Sequence, residues 1–340
     1  MPTVLISPEA FLNQPEASYA RRLRDAGFDI RYPKNSTFTR GLGLEDETIS
    51  ELTDAAAVIA GGEHYFTRRV IEASRSLRVI ARSGVGFDRV DIAAATERGV
   101  AVTITPTSNH EAVAEHMLAM LLGVTKNVAL NDRTLRAGRW AQTLSAPVRG
   151  RTIGLVGLGR IGKSAAVRCA ALDLRVIAHE NFPDQEFVAK HGIALVEMDE
   201  LLAQSDFVSL HCPLNGATQR MCDAAFFAQM KPGSVLINTA RGGLVVETDL
   251  LAALQSGHLS GAGLDVFQHE PMLPTNPLSQ LDCVVLSPHL AGTDTRSSED
   301  MGLECANCIV MLSRDEWPEG AVVNADLRPR WKWSNGGETL

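Results

Sequence analysis

The first hundred residues alternate short apolar runs with segments in which apolar positions recur every three or four residues. The apolar runs predict strands, which we place at residues 4–6, 28–32, 57–60, 77–81 and 100–104. The periodic segments between them predict helices, which we place at residues 15–25, 45–52, 67–74 and 91–97. Strands that alternate with helices are typical of βαβ units, so this part of the chain is predicted to form a parallel sheet.

A long apolar helix is predicted from about residue 110 and separates this series from a second one. Asn109 precedes the helix and is a candidate for its N-cap. The alternation then restarts, with strands predicted at residues 152–156, 174–178, 194–196, 207–210, 235–237, 261–266 and 284–286. A further helix follows Gly292 and is expected to return the chain to the first domain, which makes that domain discontinuous.

The bulk composition restricts the class of protein. Of the 340 residues 45% are hydrophobic and 21% charged, which is typical of a soluble globular protein with two domains. The net charge of −8 argues against a nucleic-acid or anionic membrane partner. The N-terminal apolar run is too short for a signal peptide and the six cysteines are expected to be reduced, so a cytoplasmic location is predicted. No metal site is predicted, and Cys305 and Cys308 are interpreted as packing residues of one helical face.

A glycine motif lies between the strand predicted at residues 152–156 and the helix after it. Its sequence is Gly157-Leu158-Gly159-Arg160-Ile161-Gly162. Glycines at these positions permit a tight turn and let a pyrophosphate approach the free N–H groups of the helix. Glu180 ends the next predicted strand, where a carboxylate binds the ribose hydroxyls of NAD and repels the 2'-phosphate of NADP. The motif therefore predicts a site for NAD, and the alternative is an ordinary strand, turn and helix with a surface glutamate.

These patterns predict an α/β protein with two doubly wound parallel-sheet domains. The glycine motif and the strands around it indicate a Rossmann cofactor domain at residues 104–293. This domain is inserted in a flavodoxin-like substrate domain, which consists of residues 1–103 and 294–340.

Three residues suited to acid–base or anion chemistry follow three successive predicted strands. They are Arg241, Glu270 and His289. Ligands of open parallel sheets bind beyond the carboxyl ends of the strands, so the three side chains are expected to meet at one site. A carboxylate beside an imidazole favours the imidazolium, which can protonate a carbonyl oxygen, and a guanidinium binds a carboxylate through paired donors. The alternatives are a structural histidine and structural ion pairs.

Six stretches of the chain resemble the D-2-hydroxyacid dehydrogenase family, in the right order and over essentially its whole length. They are SGVGFDRVD (83–91), GLVGLGRIG (154–162), HCPLNGAT (211–218), INTARGGLVVE (237–247), GAGLDVFQHEP (261–271) and SPHLAGT (287–293). Within the family, the chain is most similar to D-3-phosphoglycerate dehydrogenases and to hydroxypyruvate or glyoxylate reductases. The resemblance implies NAD-dependent hydride transfer between nicotinamide and C2 of a small D-2-hydroxy or 2-oxo acid.

The resemblance also implies roles for individual residues. Arg241 is expected to bind the substrate, His289 to be the acid/base group and Glu270 its partner. The cofactor contacts it implies are Gly157, Gly159, Arg160, Ile161, Gly162, Glu180, Cys212, Thr239, Ala240, Asp265, Ala291 and Gly292. Asp265 is the expected acceptor for the nicotinamide carboxamide, and Cys212 is expected to fill space and not to be a nucleophile. Val85 and Gly86 are expected to offer N–H groups to the substrate carboxylate.

The segment after the third predicted strand bears on the choice of substrate. Phosphoglycerate enzymes tend to carry an Arg-Ser-x-Thr segment here, whereas this chain reads AGGEHY over residues 60–65. The missing cation and the added Glu63 weaken the case for a phosphorylated substrate, because a phosphate is usually bound by charged donors. Gly61 and Gly62 are expected to leave room for the substrate, and His64 or Tyr65 is a candidate partner for a substrate hydroxyl.

Two other functions are compatible with the resemblance. One is an NAD-sensing interaction protein similar to the C-terminal-binding corepressors, which share the architecture and the three site residues. The other is a phosphite or formate dehydrogenase, although formate enzymes usually carry glutamine in place of Glu270. The resemblance further implies a homodimer formed through the cofactor domains and the long helix near residue 110.

Overall fold

The computed structural model describes residues 1–335, and the chain separates into two compact units. Unit 1 comprises Met1–Asn109 and the chain from Thr293 onward, and unit 2 is His110–Gly292. The sequence placed the first boundary earlier, at residues 103/104. Residues 104 and 105 belong to unit 1 because their N–H groups donate to the carbonyls of Ala321 (2.9 Å) and Gly84 (3.0 Å). The substrate and cofactor roles of the two units stay predictions at this point.

The sheets are built from twelve strands among the described residues. They are β1 Thr3–Ile6, β2 Asp29–Arg31, β3 Ala55–Ala60, β4 Val79–Arg82, β5 Ala101–Thr103, β6 Thr152–Val156, β7 Arg175–His179, β8 Ala194–Leu195, β9 Phe207–Leu210, β10 Ser234–Asn238, β11 Leu259–Leu264 and β12 Val284–Leu286.

The α-helices alternate with these strands. They are α1 Ser18–Asp25, α2 Ser36–Thr39, α3 Glu45–Glu51, α4 Arg68–Ala73, α5 Ile92–Glu97, α6 His110–Thr125, α7 Val128–Arg136, α8 Arg160–Ala171, α9 Gln185–His191, α10 Met198–Gln204, α11 Ala224–Gln229, α12 Glu247–Gln255 and α13 Thr295–Ser313. No single helix in residues 1–335 is long and apolar enough to cross a membrane, although α6 and α7, which meet at a bend of 59°, pass the same test as a pair.

Unit 1 contains a five-stranded parallel sheet in the order β2-β1-β3-β4-β5, which is the flavodoxin-like order. Successive residues of a strand point to opposite faces, so the sheet separates two apolar clusters. Val4 and Ile6 of β1 pack with α1 and α13, whereas Leu5 packs on the other face with α4 and α5. Trp331 joins the first cluster, and its indole N–H donates to the carbonyl of Leu312 at 3.1 Å.

Unit 2 contains a seven-stranded parallel sheet in the order β12-β11-β10-β9-β6-β7-β8. Read from β8, this is the Rossmann order with one further strand, and the order reverses between β6 and β9. Helices cover both faces, with α6 and α8 against Ile153 and Leu155 of β6 on one of them. The glycines of β11 let α6 approach the sheet closely, since a Cβ on Gly263 would lie 2.9 Å from the Cβ of Met120. The predicted fold class is therefore confirmed.

Two local predictions can be compared directly with the structure. Cys305 and Cys308 are buried in the core face of α13, as predicted, and burial raises the pKa of the Cys308 thiol to about 12. The predicted N-cap of α6 is wrong. Asn109 precedes the helix, but its side-chain oxygen is buried and accepts no hydrogen bond among the described residues.

Candidate active site

The glycine motif forms the turn between β6 and α8, at the point where the order of the unit 2 sheet reverses. Gly157 has a φ of +102°, and a Cβ there would lie 2.8 Å from the carbonyl carbon of His211. A Cβ on Gly162 would lie 2.3 Å from the carbonyl oxygen of Gly157. Packing within the protein therefore requires glycine at both positions. At Gly157 the turn contacts the loop after β9, and at Gly162 helix α8 contacts the turn.

Gly159 is different, because a Cβ there would have no atom within 4 Å. It is the N-cap of α8, has no side-chain cap, and is followed by the exposed Arg160 and the half-buried Ile161. The first N–H groups of an α-helix lack intrahelical acceptors and carry partial positive charge. The open space at Gly159 therefore adjoins a set of backbone donors, and this arrangement fits the pyrophosphate of a dinucleotide.

Glu180 directly follows β7, whose last residue, His179, pairs with the last residue of β6. Its carboxylate accepts hydrogen bonds from the N–H groups of Leu158 (2.7 Å) and Phe182 (3.0 Å). The carboxylate thus lies against the glycine turn. Each oxygen has a further lone pair for a hydroxyl donor, so the predicted contact with a ribose is compatible with this geometry.

Five strands end in register along one edge of the unit 2 sheet. The last residues of β6, β9, β10, β11 and β12 are paired in sequence, namely Val156 with Leu210, Leu210 with Asn238, Asn238 with Leu264, and Leu264 with Leu286. At a strand spacing of about 4.8 Å, this edge spans roughly 19 Å from the glycine turn to the end of β12. The loops after these strands therefore begin side by side, in the order in which the sequence predicts cofactor and catalytic residues.

Two loops in the middle of this edge carry predicted cofactor contacts. Cys212 follows β9, and burial raises the pKa of its thiol to about 11, so the thiol is protonated near neutral pH and suits a space-filling role. Thr239 and Ala240 follow β10. The N–H of Ala240 donates to the side chain of Asn238 at 3.0 Å, whereas the buried hydroxyl of Thr239 has no hydrogen-bond partner in the described residues. A buried polar group without a partner is unusual and indicates a place for a ligand.

Arg241 ends the loop that follows β10. Its backbone carbonyl accepts a hydrogen bond from Asn238 (2.9 Å), and its guanidinium donates to the carbonyl of Ala240 (2.7 Å). The next residue, Gly242, approaches the β11 loop so closely that a Cβ there would lie 2.0 Å from the carbonyl carbon of Phe267. This close packing places the Arg241 turn against the loop that leads to Glu270.

Glu270 and His289 form a hydrogen-bonded pair. His289 Nδ1 lies 2.8 Å from Glu270 Oε2, and the side chains are 37% and 13% exposed, respectively. The other carboxylate oxygen accepts from the N–H of Phe267 at 3.0 Å. The backbone thus fixes one oxygen of Glu270 and leaves the other for the imidazole. The loops that carry Arg241, Glu270 and His289 begin next to one another, and the meeting of all three side chains at one site stays a prediction.

His289 has a φ of +53°, in the left-handed region that residues other than glycine seldom adopt. Asp265 holds this turn. Its backbone carbonyl accepts from His289 N (2.7 Å), and its fully buried carboxylate accepts from Leu290 N (3.0 Å), Ala291 N (2.9 Å) and the hydroxyl of Ser287. The predicted contact of Asp265 with a carboxamide stays a prediction, whereas its bonds to the turn were not foreseen.

His116 is a second residue near this turn that sequence reasoning missed. It extends from α6, and its Nε2 lies 2.8 Å from Ser287 Oγ. The sequence signal was a histidine within a predominantly apolar helix.

In unit 1, the predicted substrate residues lie at the carboxyl ends of β3 and β4, whose last residues pair with each other. The expectation that Gly61 leaves room for a substrate is wrong, since a Cβ there would lie 2.3 Å from the carboxylate of Glu63. The side chain of Glu63 fills that space. Val85 and Gly86 lie in the loop after β4, where Arg82 donates to the carbonyl of Gly86 at 3.2 Å.

His64 and Tyr65 differ in exposure. Tyr65 is half-exposed and lies under the guanidinium of Arg89, whereas His64 is 1% exposed and packs edge-on against Phe38. His64 Nδ1 lies 3.2 Å from Glu63 Oε1, but neither ring nitrogen has an aligned hydrogen bond in the described residues.

Glu63 is held as an anion in this loop. Burial would raise the pKa of its carboxyl, but His64 and Arg82 outweigh that effect and hold the pKa below its ordinary value. Unit 1 therefore presents a carboxylate at the ends of β3 and β4. The described residues contain no group of three or more His, Cys, Asp or Glu side chains that could hold a metal ion.

Comparisons with known proteins agree with this geometry. Residues 118–291 match the model of the D-isomer specific 2-hydroxyacid dehydrogenase, NAD binding domain. The chain belongs to the D-isomer specific 2-hydroxyacid dehydrogenase family. The predictions of the family and of NAD as the cofactor are thereby confirmed.

The chain is similar to proteins with two different names. It is 36% identical to a D-3-phosphoglycerate dehydrogenase of Archaeoglobus fulgidus over 84% of this chain and 54% of that protein. It is 35% identical to a glyoxylate reductase of Korarchaeum cryptofilum over 81% of this chain and 84% of that protein. The chain thus spans about half the length of the phosphoglycerate dehydrogenases that it matches.

Solved structures show the same fold. A glyoxylate reductase from Paecilomyes thermophila has a TM-score of 0.82 and 28% identity, covering 96% of this chain and 99% of that one. A D-lactate dehydrogenase from Aquifex aeolicus, complexed with NAD and lactic acid, has a TM-score of 0.81 and 26% identity, covering 95% of this chain and 99% of that one.

Proposed function

We propose that this protein is an NAD-dependent D-2-hydroxyacid dehydrogenase, which transfers a hydride between nicotinamide and C2 of a small 2-hydroxy or 2-oxo acid. The proposal rests mainly on the hydrogen bond between His289 Nδ1 and Glu270 Oε2, which is 2.8 Å long. This pair lies at the same edge of the unit 2 sheet as the glycine turn. An acid–base pair and a dinucleotide turn on the same sheet edge are what this reaction requires.

The protein's part in the reaction follows from the orientation of the pair. His289 Nδ1 faces Glu270, which leaves Nε2 as the nitrogen that gives a proton to the substrate carbonyl oxygen. Glu270 stabilises the imidazolium before the transfer, and Arg241 binds the substrate carboxylate through its guanidinium. When bound, NADH would supply the hydride for C2, and the proton from His289 would complete the conversion of the carbonyl group into the alcohol. In the reverse direction, His289 takes the proton back.

The remaining cofactor contacts are part of the same proposal. Glu180 binds the adenosine ribose and favours NAD over NADP, and Thr239 and Cys212 line the path of the dinucleotide. The partnerless hydroxyl of Thr239 supports this assignment. Asp265 holds the turn that follows β12, and its carboxylate accepts a hydrogen bond from the nicotinamide carboxamide.

We propose that the substrate is a small 2-oxo acid without a phosphate, such as glyoxylate or hydroxypyruvate. Glu63 supports this choice, because its ionised carboxylate lies among the predicted substrate residues of unit 1 and repels a second anionic group. Val85 and Gly86 are proposed to bind the substrate carboxylate through their N–H groups. The homodimer and the cytoplasmic location stay predictions.

The relatives named above are dehydrogenases and reductases, so the comparisons favour neither the corepressor-like function nor a phosphite or formate dehydrogenase.

The test of the proposed function is steady-state kinetics with NADH and a panel of 2-oxo acids, followed at the absorbance of NADH. We expect turnover with at least one small member, and His289→Ala should lose turnover by at least a hundredfold while it still binds NAD. The absence of turnover with every member, or a fully active His289→Ala protein, would contradict the proposal.

A further inference from the structure

A polar side chain of α6 reaches the turn that carries His289. The neighbouring positions Met117, Met120 and Leu121 are buried in the apolar core of unit 2. His116 is instead directed to the β12 loop, with Nε2 2.8 Å from Ser287 Oγ and 3.7 Å from Asp265 Oδ1. A histidine at this position of a largely apolar helix indicates a specific role, because an alanine or a leucine would pack there without needing a polar partner.

The direction of each hydrogen bond follows from the donors available. The carboxylate of Asp265 accepts from two peptide N–H groups, and the hydroxyl of Ser287 donates to the same carboxylate. A serine hydroxyl has a single proton, so it has none left for the histidine. Nε2 of His116 must therefore carry a proton and donate it to Ser287. The two hydrogen bonds therefore have one direction, with His116 donating to Ser287 and Ser287 donating to Asp265.

Asp265 is the end of this chain and the main support of the turn. Its carboxylate holds the N–H groups of Leu290 and Ala291, and its carbonyl holds the N–H of His289. These bonds maintain the left-handed backbone of His289, a conformation that residues other than glycine keep only where their surroundings enforce it. The orientation of Asp265 thus determines where the imidazole of His289 lies.

We propose that His116 is a positioning residue for the acid–base group, acting through Ser287 and Asp265. The proposal rests on the proposed function of His289. A proton donor must be held within a fraction of an ångström of its productive position, and a displacement of about 1 Å can cost a hundredfold in rate. His116 contributes by fixing the hydroxyl of Ser287, so that the carboxylate of Asp265 has one orientation.

Two substitutions separate the hydrogen bond from the volume of the side chain. His116→Leu fills a similar space without a donor, whereas His116→Gln can place its amide nitrogen near the position of Nε2 and keep the donor. Glu115→Gln is the matched control, since the preceding side chain on α6 is 65% exposed and lies outside the network. For His116→Leu we expect kcat to fall roughly tenfold, with the KM for the acid and the Kd for NAD within twofold of the wild type.

The deuterium isotope effect with 4-deuterated NADH adds a readout that a purely structural role would leave unchanged. It should rise in His116→Leu because the chemical step becomes slower, and His116→Gln should restore both kcat and the isotope effect. A His116→Leu protein with wild-type kcat and isotope effect would overturn the proposal. So would an equal loss in His116→Leu and His116→Gln, since the donor would then be irrelevant.

Hydrogen exchange of residues 287–292 tests the network without any turnover. The amides of Leu290 and Ala291 should exchange faster in His116→Leu than in the wild type or in His116→Gln. If the wild type turns over no acid while this difference is seen, the proposed function has failed and the network stands. If exchange is unchanged in an active enzyme, the network is wrong and the proposed function stands.

Discussion

Gly159→Ala is the substitution that separates cofactor binding from folding most cleanly. A Cβ at this position meets no protein atom within 4 Å, and the backbone φ of −69° suits alanine. The variant should therefore fold as the wild type does, apart from a cost of roughly 0.5–1 kcal/mol, because alanine is a poorer N-cap residue than glycine. The new methyl group occupies the space beside the first N–H groups of α8, where the pyrophosphate is expected. We predict that the Kd for NAD rises at least tenfold, or about 1.4 kcal/mol.

Gly157→Ala provides the contrast in the same turn. Its φ of +102° costs an alanine about 1–3 kcal/mol. Its Cβ would lie 2.8 Å from the carbonyl carbon of His211 and 2.9 Å from the N of Cys212, both of them backbone atoms that cannot rotate away. Overpacking of this kind costs about 1–3 kcal/mol more. The total of roughly 4 kcal/mol corresponds to a fall in Tm of about 10 °C for a unit of this size.

The assay pairs NAD titration with thermal unfolding in the absence of cofactor. Gly159→Ala should lose affinity with a Tm within about 3 °C of the wild type, and Gly157→Ala should lose affinity as well as about 10 °C in Tm. Gly216→Ala is the control, because its Cβ also meets nothing within 4 Å, and it should change neither quantity. Wild-type affinity in Gly159→Ala would refute the reasoning, since the open space at that position would then not be where the dinucleotide lies.

Three further predictions concern charges. Glu63→Gln should raise kcat/KM for a phosphorylated 2-oxo acid about tenfold relative to kcat/KM for glyoxylate. An unchanged ratio of the two values would show that Glu63 does not influence the choice of substrate. Arg241→Met should raise the KM for the acid at least tenfold without weakening NAD, and equal losses of both affinities would argue against a substrate contact. Asp206→Asn should lower the free energy of unfolding by about 2 kcal/mol at pH 7, because Asp206 accepts from Lys231 (2.6 Å) and Arg151 (3.1 Å).

The difference in unfolding free energy between the wild type and Asp206→Asn should depend on pH. Burial would raise the pKa of its carboxyl, but Lys231, the N–H of Thr152 and Arg151 outweigh it and lower the pKa. A lowered folded-state pKa gives stability that is present above the unfolded value of about 3.9 and is lost as the pH falls through the folded value. Urea unfolding should therefore show the wild type and Asp206→Asn converging below about pH 4. A constant difference at all pH values would contradict this.

The sequence predicted those features of the fold that depend on local patterns. β9 was placed correctly at both ends because a run of four buried residues leaves a clear signal. Arg241, Glu270 and His289 were chosen as candidates because each follows an apolar run, and parallel strands bring their carboxyl ends to one edge. The paired ends of β10, β11 and β12 are the structural counterpart of that spacing.

Features that depend on distant contacts were missed or mispredicted. His116 and Ser287 are 171 residues apart, so no local pattern relates them. Gly61 was expected to leave space, and only the tertiary structure shows that the side chain of Glu63 folds back over it. The first domain boundary was placed too early because the hydrogen bond from Ile104 to Ala321 joins segments far apart in the chain.

The central claim is that His289, paired with Glu270, delivers a proton while C2 of a small 2-oxo acid receives a hydride. The most direct measurement uses hydroxypyruvate and 4,4-dideuterated NADH, with chiral analysis and mass spectrometry of the glycerate formed. We expect one deuterium at C2 of D-glycerate, and we expect His289→Ala to slow this transfer at least a hundredfold while it retains NAD affinity. A product without deuterium at C2, a product of the L configuration, or undiminished transfer in His289→Ala would contradict it.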